Sequence, residues 1–132
     1  MREALGLENV DLTVTSVELV RGVLATAHVW LKPGVSDRDL WGAYRDTYSD
    51  EPFVRVVHDR GGAYRHPEPR LVTGTNLADV GWHVSEGGGR AVALAAIDNL
   101  GKGAAGSAVQ CMNLMTEQPE PLGLQTFGLH PV

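Results

Sequence analysis

The sequence predicts an α+β domain with a mostly antiparallel or mixed sheet that carries helices on one face. Strand patterns follow one another with only two helix patterns between and after them, in the order β, β, α, β, β, β, β, α. The segment Glu86-Gly87-Gly88-Gly89 is typical of a hairpin turn, so the last two strands should pair antiparallel. A chain of 132 residues with 43% hydrophobic and 20% charged residues fits one globular domain.

The first half of the chain combines three strand patterns with one helix. Residues 10–14 alternate apolar and polar side chains, which predicts a half-buried strand. Residues 23–31 form the longest strand pattern, and neither face is strongly polar, so we expect both faces to be covered, one of them by a partner subunit. Ser36 is a favourable N-cap for a helix over 37–48. A short apolar strand is expected at 53–57.

The second half predicts three more strands and a terminal helix. Strand patterns cover 71–73 and 78–84, and 91–97 is a continuous apolar run bounded by charged residues, which is typical of a buried strand. A glycine-rich turn then leads into a helix over about 102–117, whose apolar residues recur every three or four positions.

That turn carries the spacing of a dinucleotide-binding fingerprint. Gly101-Lys102-Gly103-Ala104-Ala105-Gly106 matches G-x-G-x-x-G between a strand and a helix. Such a fingerprint opens a βαβ unit, whereas only about 15 residues follow this helix, and they are rich in proline and glycine. We therefore expect the turn to border a nucleotide held mainly by another domain. The alternative is that the glycines only allow close helix packing.

Composition excludes several classes of function. The net charge of −5 argues against nucleic-acid binding. The one cysteine, Cys111, allows no disulfide framework and no cysteine-based zinc site, and its mid-helix position favours a small buried residue over a nucleophile. We expect no metal site. No segment has membrane-spanning length and the N-terminus lacks the apolar region of a signal peptide, so a cytoplasmic location is expected.

Residues 60–70, RGGAYRHPEPR, form the most cationic segment. Its two glycines and two prolines exclude an ordinary helix or central strand. It is either a solvated surface loop or a basic binding face for an anionic partner or substrate.

Six short motifs cover nearly the whole chain in order. They are VRGVLAT at 20–26, LW-x-x-YR at 40–45, DEPFV at 50–54, GTN at 74–76, AIDNL at 96–100 and KGAAG-x-AVQ-x-MN at 102–113. Together they resemble the C-terminal part of the N-acetyl-γ-glutamyl-phosphate reductases and of their lysine-pathway relatives, the amino-group carrier protein 6-phospho-aminoadipate reductases. The insertion at 60–69 and the ending GLHP at 128–131 resemble the lysine branch more than the arginine branch.

The resemblance implies that residues 1–132 form a single C-terminal substrate and dimerisation domain, with the fold of glyceraldehyde-3-phosphate-dehydrogenase-like enzymes. The family reaction is the NADPH-dependent reduction of an acyl phosphate to a semialdehyde in lysine or arginine biosynthesis. The family's nucleophilic cysteine, its histidine and the Rossmann domain that mainly holds NADP all lie upstream. We therefore expect no catalytic residue in this chain, and no activity from it alone.

The resemblance also assigns roles to individual residues. Asn99 is expected at the nicotinamide carboxamide, with an ordinary turn residue as the alternative, and Lys102 at a cofactor phosphate, with a solvated lysine as the alternative. Arg21 is expected to bind the substrate phosphate or carboxylate, unless it forms a structural ion pair. Tyr64 and Arg65 are further candidates for substrate binding.

Two kinds of partner are expected. The two-sided apolar strand at 23–31 suggests a homodimer or tetramer. The lysine branch carries its substrate on a small acidic protein, and the arginine-rich segment would suit its docking by charge complementarity. The competing hypothesis is a non-catalytic dimerisation or carrier-binding module of the same fold.

Overall fold

A four-stranded mixed sheet forms the centre of the computed structural model, which describes residues 6, 8–59, 61 and 66–129. The strands are β1 (Val23–Trp30), β2 (Val54–Val56), β3 (Ala78–Val84) and β4 (Arg90–Ile97). Their spatial order is β1-β4-β3-β2. β4 is antiparallel to both β1 and β3, whereas β2 runs parallel to β3. The predicted α+β class with a mixed sheet is confirmed.

Three α-helices accompany the sheet in the described part of the chain. They are α1 (Asp37–Tyr48), α2 (Pro69–Val72) and α3 (Gly106–Met115), and a π-helical turn at Gly101–Ala105 leads directly into α3. A capping box fixes the start of α1, because Ser36 Oγ accepts from the Asp39 N–H and Asp39 Oδ2 accepts from the Ser36 N–H. The predicted bounds of α1 are confirmed.

Two predicted strands are wrong. Residues 10–14 are irregular and almost entirely exposed, because alternation alone forms no strand without a neighbouring strand to pair with, and β1 pairs only with β4 in the described part of the chain. Residues 71–73 are not a strand either. Pro69 supplies a favourable first helical position for α2, and Gly74, with φ of 81°, follows its end.

Trp82 of β3 anchors α1 to one face of the sheet. It is 1% exposed, and its ring lies 4.5 Å from that of Tyr44 and 5.9 Å from that of Trp41. Its indole N–H donates to Asp37 Oδ1 at 2.8 Å, which ties the start of α1 to the sheet. Successive strand residues point to opposite faces, so Gly81 faces the other side, where Pro67 and the chain leading into α2 lie.

β1 is an edge strand whose eight residues are all exposed. Its outer side has no strand neighbour among the described residues. We predicted that both faces of this strand would be covered, but the described part of this chain covers neither of them. No helix in the described ranges is long and apolar enough to cross a membrane.

We expect Gly81→Ala to lower the free energy of unfolding by about 2 kcal/mol, because its Cβ would overlap the carbonyl oxygen of Val57 and lie 3.0 Å from Pro67 Cδ. The matched control is Gly42→Ala in α1, where an added Cβ meets nothing within 4 Å and alanine should stabilise the helix by up to about 1 kcal/mol. Urea unfolding of both variants measures the difference, and an unchanged midpoint for Gly81→Ala would contradict the packing described.

Candidate functional site

The turn that follows β4 is organised by a fully buried carboxylate, Asp98. Its Oδ2 accepts the Gly74 N–H at 2.6 Å, and its Oδ1 accepts the N–H groups of Leu100 at 2.9 Å and Gly101 at 3.1 Å. Arg21 completes the arrangement, with Nη2 2.7 Å from Oδ2 and Nε 3.3 Å from Oδ1. One side chain therefore joins the end of β4, the start of the terminal helix, the Gly74 loop and the residue that precedes β1.

These contacts keep Asp98 ionised. Burial acts to raise the pKa of its carboxyl group, but the hydrogen bonds from Gly74, Leu100 and Gly101 and the nearby Arg21 charge outweigh burial, so the pKa lies below its ordinary value. A buried charge is tolerated when its oxygens are paired and hydrogen-bonded in this way. The carboxylate also lies at the positive end of the π-helical turn, where it accepts the Gly101 N–H.

Asn99 forms a second bridge beside the first. Its Oδ1 accepts the Gly22 N–H at 2.7 Å. Gly22 has φ of 122°, and an added Cβ would lie 2.5 Å from Pro69 Cβ, so this position requires glycine. No hydrogen bond leaves Asn99 Nδ2 toward any residue that the structure describes, so its two N–H groups remain available.

Lys102 is held by a neutral side chain. Its Nζ donates to Gln110 Oε1 at 2.6 Å and lies 5.5 Å from the centre of the Phe53 ring. Gln110 Nε2 donates in turn to Glu120 Oε1 at 2.6 Å. Within the described ranges no carboxylate forms a salt bridge with Lys102, so its charge is not neutralised there.

The glycines of the G-x-G-x-x-G stretch pack against their own chain. An added Cβ would lie 2.6 Å from Thr75 O at Gly101 and 3.2 Å from Ile97 Cδ1 at Gly103, and it would overlap Asn76 Oδ1 at Gly106. The close packing of these glycines is confirmed, whereas a nucleotide bordering the turn stays a prediction. The adjacent β4 is antiparallel to both neighbours, so it does not open a parallel βαβ unit with them.

The structure brings Arg21, Asn99 and Lys102 to the turn around Asp98, whereas the predicted substrate residues Tyr64 and Arg65 lie outside the described residues. Arg21 makes the ion pair that was its alternative role, and its proposed substrate contact stays a prediction. Cys111 is exposed, so the expectation that it is buried is wrong. No group of three potential metal ligands occurs among the residues placed by the structure.

Three important residues had no role in the sequence analysis. Asp98 was identified only as part of the AIDNL motif, and Gln110 only as part of the motif at 102–113. Asn76 lies buried against Gly106, and its Oδ1 has no hydrogen-bond partner among the residues that the structure describes. The eight-residue spacing of Lys102 and Gln110, about two helical turns, could have suggested their contact. No local signal indicates the pairing of Asp98 with Arg21.

A surface cavity of about 580 Å³ lies elsewhere on the domain. It is lined by Ser36, Asp37, Arg38, Trp41 and His58. None of the predicted site residues lines this cavity, so it is separate from the candidate site.

Residues 3–99 match the family described as the semialdehyde dehydrogenase dimerisation domain. Over 127 residues the chain is 52% identical to a protein of Thermomicrobium roseum named for LysW-L-2-aminoadipate 6-phosphate reduction, which covers 94% of this chain. A protein of Haloarcula marismortui named for reduction of LysW-L-2-aminoadipate or LysW-L-glutamate phosphate is 48% identical over all 132 residues. The LysW-L-2-aminoadipate 6-phosphate reductase of Deinococcus radiodurans is 46% identical over 120 residues, 91% of this chain.

The chain spans little more than a third of these relatives, covering 36%, 38% and 34% of their lengths. The similarity extends through the described core and the Asp98 turn, because it includes nearly all residues of this chain.

We expect Asp98→Asn to lower the free energy of unfolding at pH 7 by about 3 kcal/mol, because removing one partner of a buried ion pair leaves the other groups poorly satisfied. The control is Asp46→Asn. Asp46 pairs with Arg45 at 2.9 Å on the surface, where both side chains are more than half exposed, and such pairs contribute less than about 1 kcal/mol. Equal losses in the two variants, measured by urea unfolding, would exclude a stabilising role for Asp98.

The same carboxylate should make stability depend on pH in the acid range. The folded pKa of Asp98 lies below the unfolded value of about 3.9. Its stabilisation is therefore present above that pH and is lost as the pH falls through the lower folded pKa. Unfolding free energies measured from pH 5 downward should fall more steeply below about pH 4 in the wild type than in Asp98→Asn. Parallel curves would contradict this assignment.

Proposed function

The chain belongs to the semialdehyde dehydrogenase dimerisation-domain family, and from that membership we propose that it is part of an NADP-dependent reductase that converts an acyl phosphate to a semialdehyde. The observation that carries the proposal is 46–52% identity, over at least 91% of this chain, to proteins named as reductases of LysW-linked aminoadipate phosphate. The proposed pathway is lysine biosynthesis, and a cytoplasmic location is part of the proposal.

The substrate proposed first is 6-phospho-aminoadipate linked to a carrier protein, since the Thermomicrobium and Deinococcus relatives are named for that compound. The Haloarcula relative is named for both the aminoadipate and the glutamate substrate. LysW-linked glutamate phosphate is therefore the second candidate. N-acetyl-γ-glutamyl phosphate, which the resemblance to the arginine-pathway enzymes implies, is a further candidate.

Two residues of this chain fit a role at NADP. Asn99 has two N–H groups on Nδ2 that no described residue accepts, and these suit an acceptor oxygen such as that of a carboxamide. Lys102 carries a charge that Gln110 positions without neutralising, which suits a phosphate. NADPH supplies the hydride in such a reaction. The contribution of this chain is to orient and bind the cofactor, together with the domain that holds most of it.

Three further residues are proposed at the substrate. The Arg21 side chain is 30% exposed despite its contact with Asp98, so an anion could approach it. Tyr64 and Arg65 belong to the cationic segment, which is also the proposed docking face for a small acidic carrier protein. The names of the relatives contain such a carrier, LysW, and charge complementarity would guide its approach.

The proposed homodimer or tetramer uses the exposed side of β1. We call the relevant surface the alanine face. It consists of Val23, Ala25, Ala27 and Val29 of β1 and their half-buried cross-strand partners Ile97, Ala95 and Ala93 of β4. These side chains are small and uncharged, and the β1 members are exposed. A flat apolar surface of this kind is suited to a second copy of the domain.

The proposed activity can be tested by replacing the matching segment of the Deinococcus reductase with this chain. We expect the chimera to form the aldehyde from carrier-linked aminoadipate phosphate with consumption of NADPH. Asn99→Ala in the chimera should lower kcat/KM for NADPH about tenfold, because one cofactor hydrogen bond is lost. A folded chimera without reductase activity would instead support the non-catalytic dimerisation or carrier-binding module.

The proposed interface can be tested on the chain itself by light scattering coupled to size exclusion. We expect a dimer or tetramer for the wild type and a monomer for Ala27→Arg, because the substitution places a charge in the centre of the alanine face. Ala43→Arg, at an exposed position of α1, is the matched control and should assemble like the wild type. Assembly of Ala27→Arg at wild-type size would exclude this face.

A further inference from the structure

We propose that Arg21 is a positioning residue, which acts through Asp98 and Gly22 to fix the Asn99 amide so that it presents hydrogen-bond donors only. The ligand group that Asn99 would then recognise is an acceptor oxygen, such as that of a carboxamide. This inference rests on the proposed function in one respect, the assumption that the acceptor belongs to the cofactor.

The orientation of the Asn99 amide follows from its partner. An asparagine side chain carries one acceptor oxygen and one NH₂ group, and the two are distinguished by their hydrogen bonds. The partner at 2.7 Å is the N–H of Gly22, which can only donate, so it must face Oδ1. Nδ2 is then directed away from Gly22, and it makes no hydrogen bond to any described residue.

The position of the Gly22 N–H depends on a parallel contact one residue earlier. Arg21 and Gly22 are adjacent, as are Asp98 and Asn99, and the two dipeptides are joined twice across 77 residues of sequence. The ion pair joins Arg21 to Asp98, with Nη2 2.7 Å from Oδ2. The hydrogen bond joins Gly22 to Asn99. Two contacts fix the rotation of the 98–99 segment relative to the 21–22 segment as well as the distance between them. A single hydrogen bond fixes only the distance.

The surroundings make this connection rigid. Asp98 also holds the N–H groups of Leu100 and Gly101, so both sides of Asn99 are constrained. Gly22 is confined by Pro69 at the start of α2, with no room for a side chain. The Asn99 amide is therefore held by packed backbone rather than by a mobile loop. A binding group needs such a fixed position to orient its ligand.

The structural part of the proposal is tested in the 132-residue chain by amide hydrogen exchange. In Arg21→Met we expect exchange of the Gly22 N–H to accelerate at least about tenfold relative to neighbouring amides, since the second point of attachment is lost. Arg45→Met, which removes an exposed ion pair with Asp46, should leave Gly22 exchange unchanged. Unchanged Gly22 exchange in Arg21→Met overturns the positioning role.

The functional part is tested in the complete chimeric reductase described above. Arg21→Met should raise KM for NADPH about tenfold, because the Asn99 amide that Arg21 positions faces the cofactor. A change in KM for the acyl phosphate would report the separate substrate contact proposed for Arg21 above. Arg21→Lys should restore part of the affinity by retaining the charge. A raised KM for the acyl phosphate with unchanged NADPH affinity overturns the proposal and makes Arg21 a substrate-binding residue.

A further variant tests whether the Asn99 side chain acts as a donor without removing its contact to Gly22. Asn99→Asp can still accept the Gly22 N–H but offers no donor, so NADPH affinity should fall while Gly22 exchange stays slow. Wild-type NADPH affinity in Asn99→Asp overturns the donor assignment. If the unsubstituted chimera has no activity, the proposed function fails, and the exchange measurements still decide whether Arg21 positions Asn99.

Discussion

The buried carboxylate of Asp98 is the interaction on which the geometry of the proposed site depends. Removing a charge from water costs several kcal/mol unless it is paired and hydrogen-bonded, and here three backbone N–H groups and Arg21 meet that requirement. Gly74 and Arg21 come from other segments of the chain, whereas Leu100 and Gly101 belong to the turn itself. The carboxylate therefore determines how β4 ends, how the terminal helix begins and where the residue before β1 lies.

The glycines around this turn show why a motif needs its physical context. Gly101, Gly103 and Gly106 have the spacing of a dinucleotide fingerprint, but the space that a side chain would occupy at each is filled by Thr75, Ile97 or Asn76. In a nucleotide-binding loop the same absence of side chains admits a pyrophosphate. Here it admits the neighbouring segment of the same domain. The adjacent residues Asn99 and Lys102, rather than the glycines, carry the polar groups that suit a cofactor.

β1 connects the proposed site with the proposed interface. Gly22, immediately before the strand, holds Asn99, and the strand itself carries the exposed half of the alanine face. Burial of that face against a second copy would add packing to an edge strand whose one strand neighbour in the described part of the chain is β4. The family name, a dimerisation domain, agrees with this arrangement. The fixed conformation of the Asn99 turn and the association of subunits would then both depend on β1.

The sequence by itself determined the elements whose signals are local. Ser36 and Asp39 define the start of α1 three residues apart, and the apolar run at 91–97 and the pattern at 78–84 give β4 and β3. Only the tertiary structure decided the roles of residues whose partners are distant. Alternation at 10–14 produced no strand because no strand among the described residues lies beside it to pair with. The pairing of Arg21 with Asp98 across 77 residues depends on how β1 and β4 align. Local sequence specifies conformation within a few residues, whereas the environment of a charge is set by the segments that folding brings together.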